Sequence, residues 1–519
     1  MVAEPILAIP PFPGARPPRF ASRAEPAANS PNPDVLLEAL ARHRVGGCYW
    51  GRQRELPESP FALDATAARA SSDTVVWGED DDPWHLLAQA TSATVNENDP
   101  RGLLAVAAGL PVTVVDEDGS TRAAGDKDIA HWMATGLTGW HYADPFKGTP
   151  MDVVEAIALC GLWRRLIDSN RRIHSVLGIA YWKKPTVTPL LWAGTKIPYG
   201  RTLDDLPEGG AVAIWRARLT AAQERALERG NPPVIEIEDG FIRSAGLGAD
   251  CVPPLSIIAD ASGPHFAPGT PSELETLLQE GNFPPELLAR ARALREAIIA
   301  GGLSKYETGG TEALPRYGGA GRHVLVPGQV EDDRAVTSGG ALASNLELLR
   351  RARAEVGPEA YLIYKPHPDV LAGHRRGMIP EREVAALADR VETGSPMAAL
   401  IAMVDELHVN SSLAGFEALM RGKQVTVHGV PFYAGWGLTT DRGPVPPRRT
   451  ARRTLDALVA AALLVYPRYL DPETGLPCPA EVLVERLSGQ QVRLDRGARA
   501  VIAVRRLAGR TNRLLRQYK

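Results

Sequence analysis

Apolar and polar positions along this chain follow two rhythms. Between Met151 and Arg172 apolar residues recur three and four apart, which predicts a long helix. From residue 173 onward, short runs rich in β-branched residues take turns with helical stretches. Ile173–Ile179, Ala211–Trp215 and Val234–Ile237 read as strands, and Leu219–Arg229 reads as a helix stopped at Gly230. The alternation then restarts with helix Pro285–Ile299, strand His323–Val326, helix Ala341–Glu355 and strand Tyr361–Lys365. Helix Met397–Met403, strand Glu406–Val409, helix Leu413–Met420 and strand Gln424–Val427 complete it. Such alternation predicts parallel sheets. Two successive Rossmann-like units predict two lobes with a ligand cleft between them.

The N-terminal third is less regular. Residues 1–35, rich in Pro, Ala and Arg, predict a disordered leader. The breaker-rich stretch His141–Pro150 predicts a linker. Between them lies an internal echo. Pro83-Trp-His-Leu-Leu-Ala-Gln-Ala, Thr94-Val-Asn96 and Ala108-Gly-Leu-Pro-Val-Thr-Val114 parallel Pro396-Met-Ala-Ala-Leu-Ile-Ala-Met, His408-Val-Asn410 and Arg421-Gly-Lys-Gln-Val-Thr-Val427, with one residue inserted. The first copy lacks a counterpart of Ser411-Ser412. The expected organisation is a leader over 1–35, a degenerate lobe over 36–140, and a linker with helix over 141–165. A first Rossmann-like lobe over 166–315, a second over 316–470 and a basic tail over 471–519 follow.

Composition narrows the class. Of 519 residues, 44% are hydrophobic and 23% charged, as in ordinary soluble proteins. A net charge of -3 gives no global pull toward nucleic acid, so any anion site must be local. The four cysteines have no zinc-ligand or disulfide-framework spacing and fit a reducing cytosol. Prolines interrupt the apolar patch at the N-terminus, so no signal peptide is expected. The apolar run Leu455–Val465 is far shorter than a membrane span. The tail Val501–Lys519 carries Arg505, Arg506, Arg510, Arg513, Arg516 and Lys519 among apolar residues, which predicts reversible contact with an anionic membrane surface.

Doubly wound sheets carry their working groups at the carboxyl ends of the strands. Three clusters fall there. In Glu238-Asp239-Gly240-Phe-Ile-Arg243-Ser244, paired carboxylates suit acid or base work once a pKa is shifted, and Arg243 can grip a carboxylate with two N–H groups. A polar surface turn is the alternative. In Gly328-Gln329-Val-Glu331-Asp332-Asp333, three acids suit a nucleophile, a metal or a plain solvated helix start. Lys365-Pro366-His367-Pro368 and Asn410-Ser411-Ser412 together describe a phosphate cradle: a cation, a histidine held by prolines, and hydroxyls at a helix start. Ser412 as a mere cap and His367 as a structural histidine form the alternative there. The aromatic turn Pro431–Gly437 suits either a sugar or base pocket or a packed loop.

Taken in order, these clusters resemble the bacterial capsule polysaccharide biosynthesis family, whose known enzymes are retaining β-Kdo transferases. Matching segments include Trp182-Lys-Lys184, Ile237–Ser244, Pro253–Ser256, Ser304-Lys-Tyr306, Val326–Asp333, Lys365–Asp369, His408–Leu419, Pro431–Leu438 and Tyr466–Pro472. They span roughly residues 145 to 475. The resemblance implies an α/β, GT-B-like fold of two Rossmann-like lobes facing across a cleft, behind a degenerate N-terminal region. It implies CMP-Kdo as donor, with no cofactor and no catalytic metal. Asp333 matches the position of the nucleophilic aspartate, and Glu238 and Asp239 match the acidic pair. Lys365, His367, Ser411 and Ser412, with Gln329, match the CMP-binding side, while Arg243, Lys305 and Trp182 are assigned to substrate binding. The acceptor would be a saccharide or glycolipid. Capsule assembly proteins and an anionic membrane surface are further expected partners, and nucleic acid is not. The expected place is the cytoplasm, peripheral to the inner membrane. Asp116-Glu-Asp118 has the DxD form of metal-dependent sugar transferases, yet lies in the degenerate lobe. With one complete module, a single linkage is expected. The rival readings are transfer of another CMP-activated acidic sugar, and a non-catalytic assembly or export factor of the same fold.

Overall fold

The computed structural model describes residues 4–489, apart from 24–31, 68–71, 202, 204–205, 245–251, 306–312, 320 and 374. The basic tail Val501–Lys519 therefore lies outside the described residues. The chain divides into two units. The first comprises residues 1–173, 188–198 and 473–477, and the second comprises 174–187, 199–472 and 478–519.

The first unit contains β1 (Ala21–Arg23), β2 (Phe61–Asp64), β3 (Thr74–Val76), β4 (Ala90–Asn96), β5 (Val112–Val115), β6 (Thr121–Ala123), β7 (Trp140–Ala143) and β8 (Pro150–Met151). Strands β2 to β6 form a sheet in the order β3-β2-β4-β5-β6, with only β6 antiparallel to its neighbour. The predicted long helix forms over Val153–Asn170. Asp152 and Glu155 cap it reciprocally, each side chain taking the other's backbone N–H. Its buried face includes Ile157, Cys160, Trp163 and Ile167. Arg164 is buried on the same helix, held by Asp82 at 2.7 Å and Asp168 at 2.8 Å.

Residues 1–35 are not a disordered leader where they are described. Leu7 and Phe12 are buried, and Phe12 packs edge-on against Trp163 and Trp192. Phe20 meets Tyr142 beside the antiparallel pair β1–β7. Proline content misled the sequence reading. Prolines restrict an extended chain before it folds, so a few large apolar anchors suffice to hold it down.

The second unit holds two six-stranded sheets. Its strands are β9 (Ile173–Leu177), β10 (Ala211–Ile214), β11 (Val234–Asp239), β12 (Ser256–Asp260), β13 (His323–Pro327), β14 (Tyr361–Lys365), β15 (Arg390–Val391), β16 (Glu406–Val409), β17 (Gln424–Val427), β18 (Thr440–Asp441), β19 (Arg468–Leu470) and β20 (Pro477–Cys478). One sheet runs β20-β19-β12-β11-β10-β9 and is mixed, since β12 is antiparallel to both β11 and β19. The other runs β15-β14-β13-β16-β17-β18, with every pair parallel. Counted from β13, that is the 3-2-1-4-5-6 order of a doubly wound nucleotide-binding sheet. Its core includes Val326, Leu348, Leu349, Leu362 and Tyr364. The order reverses between β13 and β16, and ligands of such sheets bind outside the strand ends at that point.

Candidate functional site

Two of the predicted clusters meet at this reversal point. After β13 the chain runs through Gly328 and Gln329 to a short helix, Arg334–Gly339, capped by Asp333. One Asp333 carboxylate oxygen accepts the Ala335 N–H at 2.9 Å, and the side chain remains exposed. After β16 come Asn410, Ser411 and Ser412. Gln329 joins the two loops: its Oε1 accepts the Ser411 N–H at 2.9 Å, and its Nε2 donates to Ser411 Oγ at 3.3 Å. Ser411 Oγ donates in turn to the Ala335 carbonyl at 2.9 Å. Asn410 ties down the same loop by accepting the N–H of Ala341 and donating to the Leu342 carbonyl. Gly340 allows this approach, because a Cβ there would stand 2.7 Å from Asn410 Nδ2 and 2.5 Å from the Val336 carbonyl.

The acidic cluster stands at the end of β11. Arg334, next to Asp333, donates to Glu238 at 2.7 Å and also pairs with Glu236. Phe266 supports the guanidinium from 5.0 Å. Burial pushes the Glu238 pKa up to about 7, with Glu236 and Asp239 adding to the rise and Arg334 opposing it. Asp239 goes the other way. Burial works against its charge, but Lys183 at 3.2 Å, Arg243 at 2.8 Å and the field of Lys305 hold it below the usual carboxylate range. Two adjacent carboxyls thus have opposite environments, one poised near neutrality and one fixed as an anion. Gly240 serves close approach rather than a special turn: a Cβ would lie 2.1 Å from Ser256 Oγ.

Arg243 does not offer a free guanidinium. It is fully buried and donates to Asp239, to Ser244 Oγ at 2.8 Å and to the Val252 carbonyl at 2.7 Å. It positions Asp239. Lys183, which sequence reasoning passed over in favour of Trp182, is the cation beside the pair. It lies 3.1 Å from the Trp215 ring centre and 5.3 Å from that of Trp182, and burial lowers its pKa to about 8. Arg334 was also missed. Neither stands out in sequence, because Lys183 lies 56 residues before its partner Asp239 and Arg334 lies 96 residues after its partner Glu238.

After β14, His367 caps the helix Pro368–Leu371, its Nδ1 accepting the Asp369 N–H at 3.1 Å. Burial lowers its pKa, while Asp369 and Asp333 pull it back up. Neutral and with Nδ1 occupied, His367 carries its proton on Nε2 as a donor. Lys365 is buried and donates to the Ser395 carbonyl at 2.7 Å. Ser412 Oγ accepts the N–H of Ala414, which begins the helix Ala414–Met420. Lys305 is half-buried, its N–H bonded to Glu417 at 2.8 Å, and its charge is felt by both Asp239 and His367. The aromatic turn is a packed loop: Phe432, Tyr433 and Trp436 are buried, and Trp436 Nε1 donates to the Phe432 carbonyl. In the first unit, Asp116 of the DxD segment is paired with Arg122 at 3.1 Å across the β5–β6 turn.

Residues 210–469, half of the chain, match the family model of capsule polysaccharide biosynthesis proteins. The capsule polysaccharide modification protein LipA of Neisseria meningitidis serogroup B is 36% identical over 67% of this chain and 50% of its own length. The chain thus spans about half the length of that relative. The lipopolysaccharide-processing protein LpsZ of Rhizobium meliloti is 40% identical over 64% of this chain and 78% of its own. Among solved structures, the β-Kdo 2,4 transferase of Thermosulfurimonas dismutans KpsC aligns with a TM-score of 0.54 and 32% identity, over 62% of this chain and all of that one. The β-Kdo 2,7 transferase of the same KpsC aligns with a TM-score of 0.50 and 34% identity, over 61% and 98%.

Proposed function

Because the chain belongs to the capsule polysaccharide biosynthesis family, we propose that it is a retaining glycosyltransferase moving Kdo from CMP-Kdo to a saccharide or glycolipid acceptor. In this reading the two sheets of the second unit are GT-B-like lobes and the region 36–140 is a degenerate third lobe. Asp333 attacks the anomeric carbon, and the C–O bond to CMP breaks as the aspartyl–sugar bond forms. The acceptor hydroxyl then displaces Asp333, losing its proton to a base, so two inversions retain configuration. CMP leaves as a stable anion and needs no proton, so Glu238 is assigned the base role in the second step. His367 Nε2 and Ser412 Oγ donate to the phosphate, Ser411 and Gln329 hold the loop that presents them, and Lys365 and Lys305 supply positive field. Asp239 and Trp182 face the sugars, and Arg243 holds Asp239. No metal enters the chemistry.

One observation carries most of the weight: Arg334 bonds Glu238 at 2.7 Å while its neighbour Asp333 stands exposed at the reversal point of the parallel sheet. The residue next to the proposed nucleophile thus bonds the carboxyl that is poised near neutrality. The test is intact-mass spectrometry after incubation with CMP-Kdo and no acceptor. One Kdo adduct, absent in Asp333→Ala, is expected. CMP release without any adduct would overturn the covalent reading, and an adduct from CMP-sialate alone would move the donor to another acidic sugar.

A further inference from the structure

A cluster of a different kind, two buried histidines beside an exposed glutamate, lies on the parallel sheet, and the proposed sugar chemistry does not use it. His408 is on β16, and His428 follows β17, where its N–H donates to the Val409 carbonyl. Glu355 is at the end of the helix Asn345–Val356, which packs on the same sheet. One ligand-capable atom from each of Glu355, His408 and His428 lies within 4.8 Å of the others. His408 Nδ1 and His428 Nε2 face each other at 3.1 Å. Two nitrogens bound at about 2.0–2.1 Å to a tetrahedral ion stand only about 3.3–3.4 Å apart, so this spacing needs little adjustment to hold one.

We propose that Glu355, His408 and His428 bind a divalent transition-metal ion of the zinc class, tying the end of the helix Asn345–Val356 to β16 and to the segment after β17. The donor set is two imidazoles and one carboxylate, which favours zinc over magnesium or calcium. Both rings are buried, and burial lowers both pKa values to about 4, so each is a neutral ligand at physiological pH. Of the remaining ring nitrogens, His428 Nδ1 is buried without a hydrogen-bond partner, and His408 Nε2 is buried beside Glu406 without a completed hydrogen bond. Glu406 Oε1 lies 3.1 Å from His408 Nε2, placed to orient that ring as carboxylates do behind metal-bound histidines. Thr426 and Arg322 hold Glu406 in turn. Arg442 occupies only one oxygen of Glu355, through both of its contacts at 2.6 and 3.0 Å, which leaves Oε2 for the ion. Burial disfavours the Glu355 charge, but the hydrogen-bonded Arg442 guanidinium holds its pKa below the usual carboxylate value. Glu355 is exposed, so water can complete the coordination.

Metal binding at this cluster is independent of the sugar donor and acceptor. The test uses the untagged full chain, stripped with a chelator and titrated with zinc and, separately, cobalt. About one equivalent is expected to bind at micromolar affinity or tighter, with visible cobalt bands and a raised melting temperature. His408→Gln and His428→Gln should abolish the bands. Glu355→Gln, at an exposed position, should fold normally and bind at least tenfold more weakly. If the stripped protein takes up no stoichiometric zinc or cobalt, the two histidines merely share a proton and the site does not exist. Unchanged binding in Glu355→Gln, or in a folded His428→Gln protein, would equally overturn it.

Discussion

At the residue scale, the opposed environments of Glu238 and Asp239 make the sharpest predictions. Glu238 must be ionised to act as a base, and its pKa is raised to about 7. Turnover should therefore rise with pH through about 7 and level off above it. Glu238→Gln should lower the rate by about 10²–10⁴-fold and remove that rise. A wild-type rate that falls through the same window would make Glu238 an acid instead. Asp333→Ala should abolish transfer while CMP affinity stays nearly unchanged, because in the proposed mechanism the side chain acts in bond making and does not hold the leaving group. Calorimetric titration with CMP separates the two effects. The placement of Glu238, Asp333 and His367 at or after the carboxyl ends of strands was legible in the sequence, because each stands in a motif that closes a run of β-forming residues. Lys183 and Arg334 were not, since an ion pair between distant segments leaves no local pattern. Arg243 was legible as a cation, but its burial and its three inward-directed partners were not.

At the element scale, periodicity carried the reading well where elements are long or buried. The helix expected over Met151–Arg172 forms over Val153–Asn170, and strands β13, β14, β16 and β17 fall within a residue of expectation. Boundaries moved where side chains intervene. The helix expected from Ala341 begins at Asn345, because Ser344 caps it through the Glu347 N–H. The helix expected to stop at Gly230 includes that glycine and ends on Asn231 in the left-handed conformation, φ 39°. Strand β19, three residues long, returns the chain to the mixed sheet and carries no periodicity to read. The buried Arg164–Asp82 pair gives an element-level prediction. It joins the long helix to the cap of the helix Pro83–Leu87, and both side chains are within 2% of full burial. Asp82→Ala leaves the buried guanidinium with Asp168 as its one remaining carboxylate and removes the cap on the Trp84 N–H, and should cost about 3–5 kcal/mol of stability, read as a lowered urea midpoint. Replacing both residues by apolar ones of similar volume should recover much of that loss. If the single mutant unfolds at the wild-type midpoint, the pair does not hold these helices together.

At the scale of the whole molecule, the internal echo found in the sequence has a counterpart in topology. Aligning β2, β3, β4 and β5 with β13, β14, β16 and β17 gives each strand the same neighbours, all parallel. The echoed helix–strand pairs coincide as well: Pro83–Leu87 and β4 stand against Met397–Met403 and β16. What differs is the chemistry at the strand ends. After β16 the chain gives Asn410-Ser411-Ser412, whereas after β4 it gives Glu97-Asn98-Asp99, and Asp99 is spent on Arg101 at 2.6 Å. After β2, Asp64 folds back onto the Thr66 and Ala67 N–H groups. After β5, Asp116 is engaged by Arg122. A lobe that has kept its strand order while its acids are consumed locally should no longer do chemistry. The expectation is one sugar adduct per chain, all of it lost in Asp333→Ala. The double variant Asp116→Ala, Asp118→Ala should keep the wild-type rate within about twofold, since Asp118 is exposed and Asp116 serves only a half-buried local pair with Arg122, far in sequence from the proposed site. A second adduct surviving in Asp333→Ala, or a large rate loss in the double variant, would show that the N-terminal lobe still works.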